Sequence, residues 1–359
     1  MMKPITGLSP KELSAALAAA GYAKTFYAGI ILEWVYRKNI LSFSEITSLP
    51  LELRKYLSSH YSLCSVKKAG GQVSKADGTK KYLFELKDGL LTESVLIKEP
   101  EYLTMCLSSQ SGCPLACSFC RTGEGGFYRD LEFYEIADQA LYIKRDNAMP
   151  ALQNIVFMGQ GEPLLNAKNL IKALGILTAG ELAGLGSRRI TVSTSGWIEN
   201  FREVYTAFPE INFAFSLNFP DDRLRSTHMP VNKKFNIKSL IQAIKLYEKE
   251  TGKRVSIEYV LLDGINTAES SLQKLCFILK GLKCHLNLIP YNSISPGTAA
   301  LSPSNPAVRK VYNYFIKNGI NATVRKSRGS DIKAACGMLA SLSSSGDKKS
   351  SGKTGAKIP

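Results

Sequence analysis

Cys113, Cys117 and Cys120 stand in the run Gly112-Cys-Pro-Leu-Ala-Cys-Ser-Phe-Cys-Arg121, and three thiolates so spaced can do metal chemistry. A [4Fe–4S] cluster usually takes four cysteine thiolates. Three ligands from one loop leave the fourth iron free to hold a small molecule. An iron left open in this way serves chemistry on what it binds rather than plain electron transfer. A structural zinc site is the other reading, with Cys106 just upstream as the fourth thiolate. Spacing alone leaves both open.

The elements that must position this loop follow a regular order. Strands are predicted at 102–107, 154–158, 189–193, 211–217, 254–261 and 284–290. Helices are predicted at 131–145, 166–179, 199–206, 237–249, 267–282 and 306–317. Such alternation implies a parallel sheet, because parallel strands need crossovers. Six βα units are too few to close an eight-stranded barrel. The predicted fold class is therefore α/β, a partial (β/α)6 TIM-like barrel over residues 100–340. A small N-terminal accessory domain precedes it, helical over residues 1–62 and a β-hairpin segment over 63–99. Pro10 and Glu12 mark a first helical turn, and Ile30, Ile31 and Val35 keep the helical period. In the hairpin segment, Tyr82–Leu86 and Glu93–Ile97 flank Lys87-Asp88-Gly89, with Asp77-Gly78 as an upstream turn. Residues 341–359, rich in Ser, Gly and Lys, read as a disordered basic tail.

Composition narrows the partners. The chain has 359 residues and a formal net charge of +16, a field that favours a polyanion such as nucleic acid. Lysines and tyrosines of the 63–99 segment would suit phosphate contacts. Apolar stretches are broken by charges such as Glu33 and Arg37, well short of the ~18 residues a membrane span needs. The start, Met1-Met2-Lys3-Pro4, leads into no signal-peptide pattern, so no membrane role and a cytoplasmic location are expected. Eight unevenly spaced cysteines then read as reduced thiols and ligands. Cys64, Cys276 and Cys284 are taken as structural, and His60, His228 and His285 are isolated from one another.

In βα barrels the working residues sit at the C-terminal ends of strands. The cysteine loop follows the first predicted strand and Gly159-Gln-Gly-Glu-Pro163 the second. Ser193-Thr-Ser-Gly196, Ser216-Leu217-Asn218 and Pro290-Tyr-Asn292 end the third, fourth and sixth. Glu162 beside Gly161 offers a carboxylate for a ligand ammonium. Ser193, Ser216 and Asn292 are neutral polar groups of the kind that orient a nucleoside or a carboxylate. Each segment alone could equally be turn punctuation.

Cys106–Cys113, the cysteine loop through Gly126–Leu131, Gly161–Asn166, Ser193–Gly196, Asn232–Asn236 and Asp331–Gly337 occur in this order. Together they resemble the RlmN/Cfr family of radical S-adenosylmethionine (SAM) adenosine methyltransferases, over about residues 20 to 340. The resemblance implies a [4Fe–4S] cluster on Cys113, Cys117 and Cys120. It implies SAM contacts at Gly161, Glu162, Ser193, Ser216, Leu217, Asn218 and Asn292. It further implies that one SAM methylates Cys336 and that a second is cleaved to a radical that activates this methyl group. Cys106 would then release the methylated adenosine by forming a disulfide with Cys336, and Glu93 would remove the ring proton.

The implied substrate is an adenosine of 23S rRNA, with a tRNA anticodon-loop adenosine left open. The implied electron donor is a flavodoxin or ferredoxin, and the implied state a monomer. Glu162–Asn166, Leu288–Asn292 and Val324–Gly329 resemble the C2-methylating RlmN branch, with C8 methylation as the alternative. Asn218 stands where the family usually has histidine, and Asp130, Gln160, Lys333 and Met338 are further departures. A radical SAM enzyme acting on a peptide or small metabolite, and an RNA-binding module with a structural metal, are the rival readings.

Overall fold

The N-terminal helices owe their start to local chemistry. Ser9 accepts from the Glu12 amide while the Glu12 carboxylate takes the Ser9 amide, a reciprocal cap that fixes α1 (Pro10–Ala19). The computed structural model describes residues 2–340, so the expected basic tail lies outside the described residues. A short strand β1 (Lys3–Pro4) precedes α1; α2 (Phe26–Arg37), α3 (Leu51–His60) and β2 (Tyr61–Ser62), parallel to β1, follow it. Leu13, Leu17, Ile31, Val35, Leu53 and Leu57 give these helices their own apolar core.

Three antiparallel strands come next, β3 (Lys67–Val73), β4 (Lys80–Glu85) and β5 (Leu91–Lys98). Then β6 (Leu103–Cys106) opens the barrel, and β7 (Gln110–Gly112), α4 (Arg121–Glu124) and β8 (Phe127–Asp130) frame the cysteine loop. The alternation runs on through α5 (Phe133–Asp146), β9 (Asn154–Phe157), α6 (Ala167–Thr178), β10 (Ile190–Thr194) and α7 (Phe201–Ala207). It continues with β11 (Asn212–Ser216), α8 (Asp222–His228), α9 (Ile237–Thr251), β12 (Val255–Leu261) and α10 (Glu269–Leu279). It ends with β13 (Cys284–Pro290), α11 (Asn305–Lys317) and β14 (Ala322–Val324). Each predicted strand and helix of the barrel is present, within a few residues at its ends.

Two features differ from expectation. β14 adds a further parallel strand after the last predicted helix, too short to show a period in sequence. The hairpin segment also does not stand apart from the barrel. Ten of the fourteen strands of the described residues form one sheet in the order β14-β13-β12-β11-β10-β9-β6-β5-β4-β3. Val95, Leu96 and Ile97 of β5 pair with Cys106, Met105 and Thr104 of β6, across the boundary expected at 99/100. The reason is the free edge of an incomplete barrel: β6 needs a partner for its outer N–H and C=O groups. Lys68, Lys80 and Lys81 of this segment are correspondingly engaged. Lys68 meets Asp146 at 3.4 Å, Lys80 meets Asn147 at 2.6 Å and Lys81 meets Glu93 at 3.1 Å.

The N-terminal helices dock on α5 through buried polar anchors. Lys144 donates to the Tyr36 and Arg37 carbonyls at 3.2 and 2.9 Å, closing the end of α2. Asp138 accepts from the Thr6 hydroxyl at 2.9 Å, the Ser65 amide at 2.7 Å and the Ser65 hydroxyl at 2.6 Å. Burial pushes the Asp138 carboxyl up to about 6 against the pull of these bonds. A raised acid favours the folded state in its protonated form. That contribution is present below the ordinary aspartate range near ~4 and is lost as pH rises to about 6. Denaturation titrations should therefore show the wild type losing on the order of 2 kcal/mol against Asp138→Asn over that window. Equal pH profiles would remove this role.

Removing residues 1–98 should give an aggregating barrel rather than a folded one, because the β6 edge and one cavity wall go with β5. Size-exclusion chromatography of the truncated protein checks this, and a soluble, iron-binding monomer would contradict it.

Candidate active site

The cysteine loop is fixed by its own backbone. The Cys113 amide donates to the Gly126 carbonyl at 2.9 Å and the Cys120 amide to the Cys117 carbonyl at 3.1 Å. Gly112 has φ +80 and sits so close to Gly126 that a Cβ would collide with its carbonyl. The Ser118 amide reaches the His228 carbonyl at 3.0 Å, which ties the loop to α8. Cys113, Cys117 and Cys120 come to line one cavity at the C-terminal rim of the parallel strands. Burial, then the neighbouring thiols, push the Cys113 thiol well up and the Cys117 thiol to about 12. Thiolates crowded in this way need a cation among them, so the donor set suits the three-cysteine cluster. Cys106 lies elsewhere, packed with Val95, Ala334 and Leu339, so the fourth ligand of the zinc reading is not gathered. Among the described residues no three or more His, Cys, Asp or Glu side chains converge to hold a single metal ion.

Gly161, Glu162, Ser193, Ser216, Asn218, Asn292 and Cys336 line the same cavity. Gly161 has φ +97, and a Cβ there would come within 2.5 Å of the Gln110 Cβ, so only glycine fits. Glu162 is buried, and its carboxylate accepts from the Ser195 amide at 2.7 Å and the Leu164 amide at 3.2 Å. Burial outweighs these bonds and pushes its carboxyl up to about 7, a carboxylate that a ligand ammonium would stabilise. Asn292 reaches the Cys336 carbonyl at 3.4 Å and so touches the segment that carries this cysteine. A second cavity, of about 600 Å3, shares Cys336 and Asn292 with the first and is lined by Cys106 as well. That volume is in the range of small-molecule pockets. Cys106 and Cys336 are free thiols, the first buried and the second exposed. Burial, then the nearness of Cys336, push the Cys106 thiol up to about 12.

Three expected site residues are placed otherwise. The Leu217 side chain is buried in the core and offers only its carbonyl, taken by Arg225 at 3.1 Å. Asn218 reaches the cavity, but its amide is spent on the protein: it accepts from the Val260 amide at 3.0 Å and points its Nδ2 at the Met229 sulfur. Its φ of +56, a conformation asparagine tolerates, turns it inward. Glu93 is buried outside both cavity linings, held by Lys81 at 3.1 Å and by the Ala340 amide at 2.7 Å. The lone hairpin glutamate is thus not solvated, because β5 lies inside the sheet.

Sequence reasoning passed over Glu258. It is buried on β12, lines the cavity and accepts from Asn287 at 2.8 Å. One carboxylate in the apolar run Val255-Ser-Ile-Glu-Tyr-Val-Leu261 was the available signal, since acids are seldom buried in strands without a task. Arg325 stands 3.7 Å from Glu258 and lines both cavities with Cys336. The whole Arg325–Arg328 run lines the second cavity with Cys336.

A parallel α/β barrel with three rim cysteines and a buried glutamate one strand over defines a class, and residues 107–275 match the model of the radical SAM superfamily. A probable dual-specificity RNA methyltransferase RlmN of Thermotoga neapolitana is 41% identical over 94% of this chain and 97% of its own length. One of Geobacillus thermodenitrificans is 40% identical over 93% of this chain and 92% of its own. A radical SAM methyltransferase from Sphaerobacter thermophilus superposes with TM-score 0.89 at 38% identity, covering 94% of this chain and 99% of that one. The chain belongs to the RlmN family of radical SAM RNA methyltransferases, whose cofactors are a [4Fe–4S] cluster and SAM.

Replacing Cys113, Cys117 or Cys120 by alanine should abolish iron binding after anaerobic reconstitution, while Cys64→Ala, Cys276→Ala and Cys284→Ala keep it. Iron and sulfide analysis with the visible absorbance of the cluster reads this out; iron retained in any loop variant would break the assignment.

Proposed function

We propose that this protein methylates C2 of an adenosine in 23S rRNA, carrying the methyl group first on Cys336. The observation that carries the reading is one continuous site: Cys336 shares a cavity with the three loop cysteines and Glu162, and a second cavity with Cys106. Adenine C2 is a poor nucleophile, so direct displacement on the SAM sulfonium fails there. A thiolate is a good one. The Cys336 sulfur bonds to the SAM methyl carbon as the sulfonium C–S bond breaks and its electron pair stays on the SAM sulfur, with Arg325 on the wall of the same cavity. When bound, the cluster supplies the electron that cleaves a second SAM reductively. Glu162 and Gly161 fit the amino acid end of SAM, and Ser193 and Ser216 fit its polar groups further along the rim.

Cys106, which shares a cavity with Cys336 and packs on Val95 and Leu339, attacks the Cys336 sulfur of the adenine adduct: the S–S bond forms as the S–CH2 bond breaks, and the carbon leaves with the electron pair and takes up a proton to become the product's methyl group. Glu93, which pairs with Lys81 and accepts from the Ala340 amide, serves as the base for the ring proton. The RNA presents an unstacked adenosine, since C2 is out of reach within a helix. The +16 charge supports binding to RNA in the cytoplasm, and no helix of the described residues is long and apolar enough to cross a membrane. The relatives are named as dual-specificity enzymes, which favours an adenosine in tRNA as a second substrate. An acidic flavodoxin- or ferredoxin-type protein serves as reductant, and the enzyme works as a monomer.

Deuterium at C2 of the target adenosine should be lost from the methylated product; label retained in a methylated base would indicate C8 instead. The variant Cys106→Ala should trap RNA covalently on Cys336, read as a protein–RNA adduct on denaturing gels. Free, fully methylated RNA from that variant would exclude the resolving role.

A further inference from the structure

The inside of a closed barrel is filled by branched apolar side chains. The partial barrel here leaves part of its inner face open and polar. A groove of about 580 Å3 lies at the N-terminal ends of β6, β9 and β10, the far end of these strands from the cysteine loop. Thr104, Asn154 and Thr191 line it, each half-buried, and none makes a side-chain hydrogen bond among the described residues. Strand register brings them together: Thr104 pairs with Asn154 across β6 and β9, and Val156 with Thr191 across β9 and β10. Polar groups left unpartnered in this way keep the groove wet rather than packed, as a surface for a polar ligand must be.

The groove continues the site. Tyr102, Thr104 and Val156 line both the groove and the second cavity, the one that Cys106 shares with Cys336. Thr104 and Cys106 lie on one face of β6, two residues or roughly 7 Å apart along the strand. Thr191 and Ser193 share a face of β10 in the same way, and Ser193 lines the cysteine cavity. The walls are basic. Over the groove and the second cavity, Arg188, Arg189, Arg325, Lys326 and Arg328 stand against only Glu99 and Glu101. Arg188 and Arg189, just before β10, are both exposed. Arg188 meets Glu210 at 2.7 Å, an exposed pair that is easily parted, and Arg189 makes no ion pair among the described residues. Tyr102, where groove and cavity meet, is exposed as well.

We propose that this groove holds the single-stranded rRNA that flanks the target adenosine. Tyr102 stacks a neighbouring base where the two cavities meet, and Arg188 and Arg189 meet phosphates beyond it. The proposal rests on the RNA reading of the site given above. A strand of RNA matches the groove's chemistry, since every nucleotide offers a ring face to stack and an anion to pair, whatever its base. The volume suits about one or two nucleotides rather than a duplex. The target base itself belongs at Cys336, so the nucleotides beside it are the ones that reach the groove.

The test is binding and turnover by the reconstituted holoenzyme on a single-stranded rRNA oligonucleotide with the target adenosine at its centre, and on two versions lacking the 5′ or the 3′ flank. Arg188→Ala with Arg189→Ala should weaken binding of the full oligonucleotide about tenfold. The same double variant should make the log–log salt dependence shallower by roughly 1.4, for two phosphates at about 0.7 each. Tyr102→Ala should weaken binding about tenfold, and Tyr102→Phe should restore it. KM for RNA should rise while kcat at saturating RNA and the methylation of Cys336 without RNA stay unchanged. Wild type should lose the same affinity when one of the two flanks is removed, and the variants should lose nothing further on that RNA. Lys238→Ala with Lys245→Ala, two exposed cations of α9, controls for net charge and should bind like wild type. Unchanged affinity in the arginine variant, an equal loss in the α9 control, or a loss that persists on both shortened RNAs overturns the proposal. Wild type that neither binds nor methylates any of the three RNAs overturns the RNA reading itself.

Discussion

A partial barrel has two open edges, and how they are closed governs the rest of this molecule. The first edge, on β6, is paired by β5. The second lies beyond β14, where the chain would otherwise leave the sheet. The chain that leaves β14 is caught by the same hairpin extension. Arg328 meets Glu99 at 2.7 Å, the Gly329 amide meets Asp77 at 2.9 Å, and the Lys75 amide meets Asp331 at 3.1 Å. The antiparallel strands therefore grip the chain just before it reaches Cys336. Cys106 ends β6 on one side of the gap, and Cys336 arrives from the other. The pairing that satisfies an exposed edge is also what brings the two thiols to one cavity.

Buried charge divides cleanly between structure and site. Lys144 spends its ammonium on the carbonyls that end α2, and Asp138 spends one oxygen on Thr6 and Ser65. These groups hold the N-terminal helices to the barrel and look toward no cavity. Glu162, Glu258 and Arg325 instead line the cavity, each only partly compensated by the protein. Such groups are costly in an empty protein and are offset when a charged ligand arrives. The contrast separates side chains that build the fold from those that do its chemistry.

Much of this was legible beforehand because βα alternation is a local pattern. Each barrel strand carries its own apolar run, and each rim segment breaks it with Gly, Ser or Asn, so strand ends and site coincide in sequence. The hairpin extension was harder, because pairing between Val95 and Cys106 is a tertiary fact with no local period. The lysines at 68, 80 and 81 looked free for phosphate for the same reason: their acidic or amide partners come from α5 and β5. Asn218 matched a binding position by motif, but its positive φ turned the amide toward Val260. Glu258 was missed because a single acid inside a strand shows no spacing; the apolar run around it was its one signal, and that run reads first as core.

The segment that carries Cys336 is fastened downstream as well as upstream. The Gly337 carbonyl takes the Arg121 amide at 2.7 Å, and the Leu339 carbonyl takes the Thr122 hydroxyl at 2.8 Å. Ala340 is held at both its polar groups, by Glu93 and by Gln160 Nε2 at 2.7 Å. Ala334 and Ala335 are buried while Cys336 is exposed, so the thiol is the apex of a loop clamped on both sides. Holding a thiol in this way lowers the entropy lost when it meets a ligand. The same clamp has a consequence for Glu93. Its two oxygens divide the work, Oε1 pairing with Lys81 and Oε2 taking the Ala340 amide, so one buried side chain ties β4 and β5 to the end of the segment that carries Cys336.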